Sequence, residues 1–193
     1  MKALTLTPPW GNAVACWDKD VENRTWVPPA DLVGRDIVIH QGARWTGEDA
    51  SAAAMLADEL AESFPGVPTT RDGYPSGIVA VARLAGYVVD VAAFGKPLKA
   101  IGYQFEAWTR ASALARAQVV GFPGQADAVR AADLVFASRW WIGPVGWLLA
   151  DVRRVYPVIA CPGAQGLWTV PDDAAAELVR RGLVTAAGPG LHA

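Results

Sequence analysis

The chain has 193 residues, of which 52% are hydrophobic and 19% charged, so it can build a packed interior and is not a disordered polymer. Its length suits one domain with an enlarged core, or a small domain carrying a long insertion. A formal net charge of −2 excludes a global electrostatic draw toward nucleic acid, and any such binding needs a local basic patch. Two cysteines, Cys16 and Cys161, and two histidines, His40 and His192, are too few and too scattered for an ordinary zinc site. The expectation is no metal, no cofactor and two buried, reduced thiols. Met1 to Thr5 lacks the apolar run of a secretory signal, and no stretch reaches the roughly 20 apolar residues of a membrane span. The expected setting is the cytoplasm.

In chain order, Ala3 to Leu6 is β-prone, and Thr7-Pro8-Pro9 opens a short helix from Pro9 to about Trp17. Glu22 to Val27 reads as a strand. Its alternation sets Glu22, Arg24 and Trp26 on one face, and Val21, Asn23 and Thr25 on the other. Asp36 to His40 is a β-branched strand. Thr46 caps a helix with an acidic first turn that runs to Ser63, its apolar side supplied by Met55, Leu56 and Leu60. Residues 64–76, rich in Pro and Gly, form a loop. Gly77 to Val91 is the longest β pattern, with Gly86 marking a bulge or turn.

From about Phe94 to Ala132 the β rhythm breaks. Phe105 to Val119 looks helical, Gly121-Phe122-Pro123-Gly124 ends it, and another short helix follows near Asp127. Residues 94–135 are therefore read as a helical insertion. β character returns in Val145 to Leu149, in Val152 to Val155 and in Leu167 to Val170. Pro171-Asp172-Asp173 opens a last helix through Arg181, closed by Gly182. Residues 186–193 read as a frayed tail. Several short strands, helices at intervals and no βαβ rhythm predict one α+β domain over 1–185, built as a mixed β-barrel with peripheral helices.

The densest polar cluster is Lys19-Asp20-Val21-Glu22-Asn23-Arg24. Lys19, Glu22 and Arg24 stand at the K-x-x-E-x-R spacing that marks the ASCH family, and the flanks agree. Leu4-Thr5-Leu6 with Pro9-Trp10, Ile37 to His40, Gly143 to Trp147 and Gly163 to Trp168 resemble that family's strands and helix entry. The resemblance covers roughly 1–91 and 138–172. Trp17 stands where the family has Gly, which puts the preceding turn in doubt. What the resemblance implies is a PUA-like barrel with a ligand cleft over the motif. Relatives of this architecture bind RNA or modified bases.

The residues suit such a ligand on their own chemistry. Lys19 and Arg24 supply cations for phosphate, Glu22 accepts from a base N–H, and tryptophan offers a stacking face. The alternative is an ion pair that pins the strand, with Lys19 solvated. His40, at a strand end, either bonds phosphate and does acid–base work or is structural. Trp10, Trp26, Trp45 and Trp168 are candidate walls, while Trp140, Trp141 and Trp147 suit the core. Gln165, in the Gly163-to-Gly166 loop, reads a base edge or simply forms a turn. Arg71 to Tyr74 is a candidate rim. Arg110, Arg116, Arg130, Arg139, Arg153 and Arg154 make either a basic face or a solvated surface.

Three functions follow. The first is a binding module for RNA or a modified nucleoside or nucleotide. The second is a small hydrolase, ribonuclease-like or amidohydrolase-like, with Lys19, Glu22 and His40 as the catalytic set. In the acetylcytidine amidohydrolases of the resembled family the motif's Glu position holds a Thr nucleophile. Glu22 is a poor substitute for an activated hydroxyl, so turnover of acetylcytidine is not expected. The nearest candidate for that family's further catalytic Glu is Glu106. The third function is a protein-interaction scaffold with the Trp-rich insertion as its surface.

Overall fold

The computed structural model describes residues 1–96, 102–108 and 114–185. In chain order its elements are β1 (Lys2–Leu6), α1 (Trp10–Cys16), β2 (Val21–Arg24), β3 (Asp36–Gln41), α2 (Gly47–Glu59), β4 (Gly77–Asp90) and α3 (Val91–Phe94). There follow β5 (Tyr103–Trp108), β6 (Leu114–Val120), α4 (Gln125–Ala137), β7 (Val145–Ile159), β8 (Leu167–Thr169) and α5 (Asp172–Arg180). The class is α+β, and the strands pair mostly antiparallel. The pairings among the described residues leave the sheet open, so they do not by themselves form the closed barrel expected from the sequence. Two compact units divide the chain: the first takes Met1–Asp18, Asp36–Ala82 and the residues from Val152, the second Lys19–Arg35 and Arg83–Asp151. The tail expected to fray, 186–193, lies outside the described residues, as do Arg110 and His192.

In the first unit β1 pairs parallel with β3, Thr5 opposite His40, and antiparallel with β8, Ala3 opposite Trp168. Their apolar faces meet α5, where Ala174 and Leu178 pack on Ala3, Val38, Ile78 and Val155. Each large apolar side chain so buried contributes about 1.5–3 kcal/mol. Gly11 lets α1 lie close to β3: a Cβ there would stand 2.9 Å from Gln41 Oε1. At α2, Thr46 and Asp49 form a reciprocal capping box, worth about 1 kcal/mol. The buried stripe of α2 is Ala53 and Leu56, with Leu60 just past its end, whereas Met55 is 53% exposed. Met55 is adjacent in sequence to Leu56 and so lies about 100° around the helix from it, off the stripe.

In the second unit the expected helix over Phe105 to Val119 is overturned. β5 and β6 pair antiparallel, Tyr103 opposite Val119, and β6 pairs in turn with β4, Tyr87 opposite Val120. The segment expected as a helical insertion therefore supplies two strands. Its helix is α4, longer than the sequence indicates, which packs on β5 and β6 and buries Ala128, Val135 and Phe136. β4 runs unbroken through Gly86, where a Cβ would stand 2.4 Å from the Val120 carbonyl oxygen. The glycine serves a close backbone approach and makes no turn. β7 is likewise one strand of 15 residues where two were expected, with Asp151 inside it at φ +50°. β2 is shorter than expected and ends at Arg24.

Candidate functional site

β2 pairs antiparallel with β7, setting Glu22 opposite Trp147 and Asn23 opposite Gly146. The strand period then sorts its side chains. Asn23 is used in holding the turn before β7: its amide N–H donates to the Trp140 carbonyl at 2.7 Å, and its oxygen accepts from the backbone N–H of Ile142 at 2.8 Å and of Gly143 at 3.2 Å. Glu22 and Arg24 take the other face, as the alternation requires.

There they meet Lys19. The Lys19 ammonium donates to Glu22 Oε2 at 2.7 Å and to the Val21 carbonyl, and Arg24 Nη2 stands 3.1 Å from Glu22 Oε1. Lys19, solvated in the ion-pair alternative, is instead only 3% exposed, and Glu22 is 6% exposed. Arg24 is the outermost member, with 23% of its side chain exposed. One carboxylate thus serves two cations, and the trio carries a formal charge of +1. The Arg24 Nε–H is buried and meets no hydrogen-bond partner among the described residues. A guanidinium has five donors in a fixed fork. Here one edge is spent on Glu22, and the rest suits a second, external anion.

The other residues expected at the site fall into separate sets. Trp26, past the end of β2, packs edge-on against the fully buried Trp147, ring centroids 4.7 Å apart, and its carbonyl accepts from Trp147 Nε1 at 3.2 Å. His40 and Trp168 belong to the first unit. His40 Nε2–H donates to the Cys161 carbonyl at 3.1 Å, its Nδ1 accepts from the Thr5 hydroxyl at 3.3 Å, and Trp168 Nε1–H donates to Thr5 Oγ1 at 3.0 Å. This chain of donors and acceptors fixes the neutral tautomer. Burial pushes the His40 imidazole below its ordinary range, against the smaller opposing pull of the Cys161 carbonyl. Both ring nitrogens are engaged internally, which leaves His40 no free atom for acid–base work.

Trp10 opens α1 and is half-buried, and Gln165 is exposed in its loop. Trp45, expected as a wall, stacks on Tyr74 with ring centroids 5.4 Å apart, while Trp17 meets the same ring edge-on. Tyr74 is thereby a core residue, its hydroxyl donating to the Pro68 carbonyl and pushed by burial to a pKa of about 12. Trp17, standing where the resembled family has Gly, is buried at the end of α1, and Asp18 takes the turn's positive φ of 52°. Glu106 is exposed on β5.

Sequence reasoning passed over one further feature, a cleft of about 340 Å³ in the first unit, walled by α1 and the second half of β7. Its signal was weak: Arg154 and Tyr156 alternate along a strand beside Pro157, a pattern equally common on solvated edges. Cys16 and Cys161 are free and half-buried. No group of three or more His, Cys, Asp or Glu among the described residues stands together to hold a metal, and none of the described helices is long and apolar enough to cross a membrane. No protein-family model matches the chain, and no curated protein matches it, so the chemistry of these sites is read from their own geometry.

Proposed function

We propose that the protein is a cytoplasmic ASCH-type module of PUA-like barrel architecture that binds RNA, or a modified nucleobase or nucleotide, through Lys19, Glu22 and Arg24. The observation that carries this reading is the excess of positive charge in a largely buried trio whose outermost guanidinium keeps a buried N–H with no partner among the described residues. A phosphate is the natural complement of that N–H. Glu22 still has acceptor capacity for a base N–H, since a carboxylate offers about four lone-pair sites and the two N–H donors from Lys19 and Arg24 do not exhaust them. The α+β class and mostly antiparallel strands support the architecture.

The test is RNA affinity across several salt concentrations. Arg24→Ala weakens binding and lowers the log–log salt slope by about 0.7, the value for one lost single-strand phosphate contact. Glu22→Gln changes the preferred base and leaves the slope nearly intact, because a carboxylate neutralises no phosphate. If both variants bind RNA as the unaltered protein does and lose only thermal stability, the trio is an internal ion cluster. That second reading has its own support in Lys19, whose burial and two internal acceptors are what a structural ion pair needs. The hydrolase reading has less, since it asks His40 for acid–base work while both its nitrogens are occupied.

A further inference from the structure

The cleft in the first unit uses none of the residues just assigned. Its walls come from α1, from the Gly73–Pro75 turn and from residues 154–158 of β7, and its floor is apolar, with Val79 and Val155. The walls are stitched before any ligand arrives. Gln41, fully buried, accepts from the Asn12 backbone N–H at 3.0 Å and donates to the Pro75 carbonyl at 3.1 Å. The Asn12 amide N–H reaches the Gly73 carbonyl at 3.4 Å, which leaves its Oδ1 as an acceptor without a partner among the described residues.

Arg154 is the one charged residue among the lining, and no described carboxylate pairs with it. Its guanidinium instead lies 5.2 Å from the centroid of the Tyr156 ring, within reach of the ring's negative face. Tyr156 itself is 76% exposed, an uncovered aromatic face at the cleft's mouth. Cys16 lines the same space. Burial pushes its thiol upward, against a smaller downward pull from Arg154, so the thiol is neutral near pH 7 and the cleft's formal charge is +1.

A positive charge without a partner, an exposed ring face, an apolar floor and one amide acceptor describe a particular kind of guest. We propose that this cleft is a binding site for a planar aromatic molecule bearing one anionic group, either a carboxylate or a phosphate. The ring stacks at Tyr156, the anion takes the Arg154 fork, and Asn12 Oδ1 accepts from a ring N–H where one is present. The volume sits at the lower end of the usual range for small-molecule sites, about 300–1,000 Å³. That admits a benzoate or a single nucleotide and excludes a longer strand.

Cys16 makes the site measurable. In a Cys161→Ser background it is the sole thiol, and its alkylation by iodoacetamide is followed by mass spectrometry with four probes: benzoate, AMP, adenosine and inorganic phosphate. A ligand at ten times its dissociation constant leaves about one site in eleven open and slows alkylation about tenfold. Benzoate or AMP is expected to do this, and which of the two acts at lower concentration tells carboxylate from phosphate. Adenosine, a ring without an anion, and phosphate, an anion without a ring, protect far less. Arg154→Ala abolishes protection and Tyr156→Leu weakens it, with unaltered thermal midpoints showing that both variants are folded. The proposal is overturned if neither benzoate nor AMP protects Cys16, if phosphate alone protects as well as they do, or if Arg154→Ala retains the effect. Ligand binding at Lys19, Glu22 and Arg24 would instead raise the thermal midpoint without slowing Cys16 alkylation, so the two readings fail separately.

Discussion

The first unit buries a neutral polar chain, Trp168 to Thr5 to His40 to the Cys161 carbonyl, and the second buries a charged trio, Lys19, Glu22 and Arg24. The neutral chain joins residues far apart in sequence, the trio residues within one short stretch, and each has a buried centre, His40 in one and Lys19 with Glu22 in the other. They differ in how their bonds add up. In the neutral chain each N–H or O–H meets one acceptor, and the last acceptor is a backbone carbonyl, so nothing is left over. In the trio two cations share one carboxylate, and a buried Arg24 N–H has no partner among the described residues. Burial alone therefore does not mark a functional site. A surplus of one sign of charge inside a buried cluster is more informative, because it is costly unless something outside completes it.

The comparison breaks most visibly at Glu22. Glu22→Ala leaves Lys19 buried with only the Val21 carbonyl and faces it with Arg24. Removing one partner of a buried pair costs about 3–5 kcal/mol, read as a fall in the urea midpoint. A loss below about 1 kcal/mol would show that Lys19 escapes to water, and the contrast with the neutral chain would disappear. The neutral chain should fail by crowding instead. In Gly163→Ala the new Cβ would stand 2.4 Å from His40 Cε1 and 2.9 Å from Thr5 Oγ1, while the ring is held at both nitrogens. An overpacked site of this kind costs about 1–3 kcal/mol by the same unfolding measurement. A neutral result would mean that the His40 ring is free to move.

The smallest effect is one of pH. The folded protein holds His40 below its ordinary value, so between the two values the unfolded chain binds a proton that the folded one does not. Stability from this group is fully present above about pH 6.5 and declines as pH falls toward the folded value. His40→Gln, whose amide can still donate to Cys161 and accept from Thr5, should flatten the dependence of the urea midpoint between about pH 7 and pH 5. An unchanged slope would assign that dependence to other groups.

Much of this was legible in the sequence, for identifiable reasons. β-branched runs gave β3 and the first half of β4, the Thr46 cap gave the start of α2, and Asp172-Asp173 with Gly182 gave α5. The β5–β6 hairpin was not legible, because Ala115, Arg116, Ala117 and Gln118 are strong helix formers. Their extended state is imposed by pairing with β4 and β5. The single span of β7 was hidden by Asp151, a polar break in the pattern that the chain crosses at positive φ, its carboxylate 2.7 Å from Arg83 Nε. At the trio, period two correctly put Glu22 and Arg24 on one face. The burial of Lys19 had no signal, since a lysine is ordinarily solvated and only tertiary packing encloses it.

The tryptophans give the molecule two built-in optical channels. Trp26 and Trp147 form a perpendicular indole pair confined to the second unit, close enough for their electronic transitions to couple and contribute to circular dichroism. Trp45 stacked on Tyr74, with Trp17 at the ring's edge, is an emitting cluster confined to the first. A denaturation followed by the dichroism of the Trp26–Trp147 pair is therefore a label-free record of the second unit, while fluorescence, which sums the emission of all nine tryptophans, records both. Coincidence of the two curves is the signature of a single cooperative transition, and separation resolves the units as distinct folding bodies.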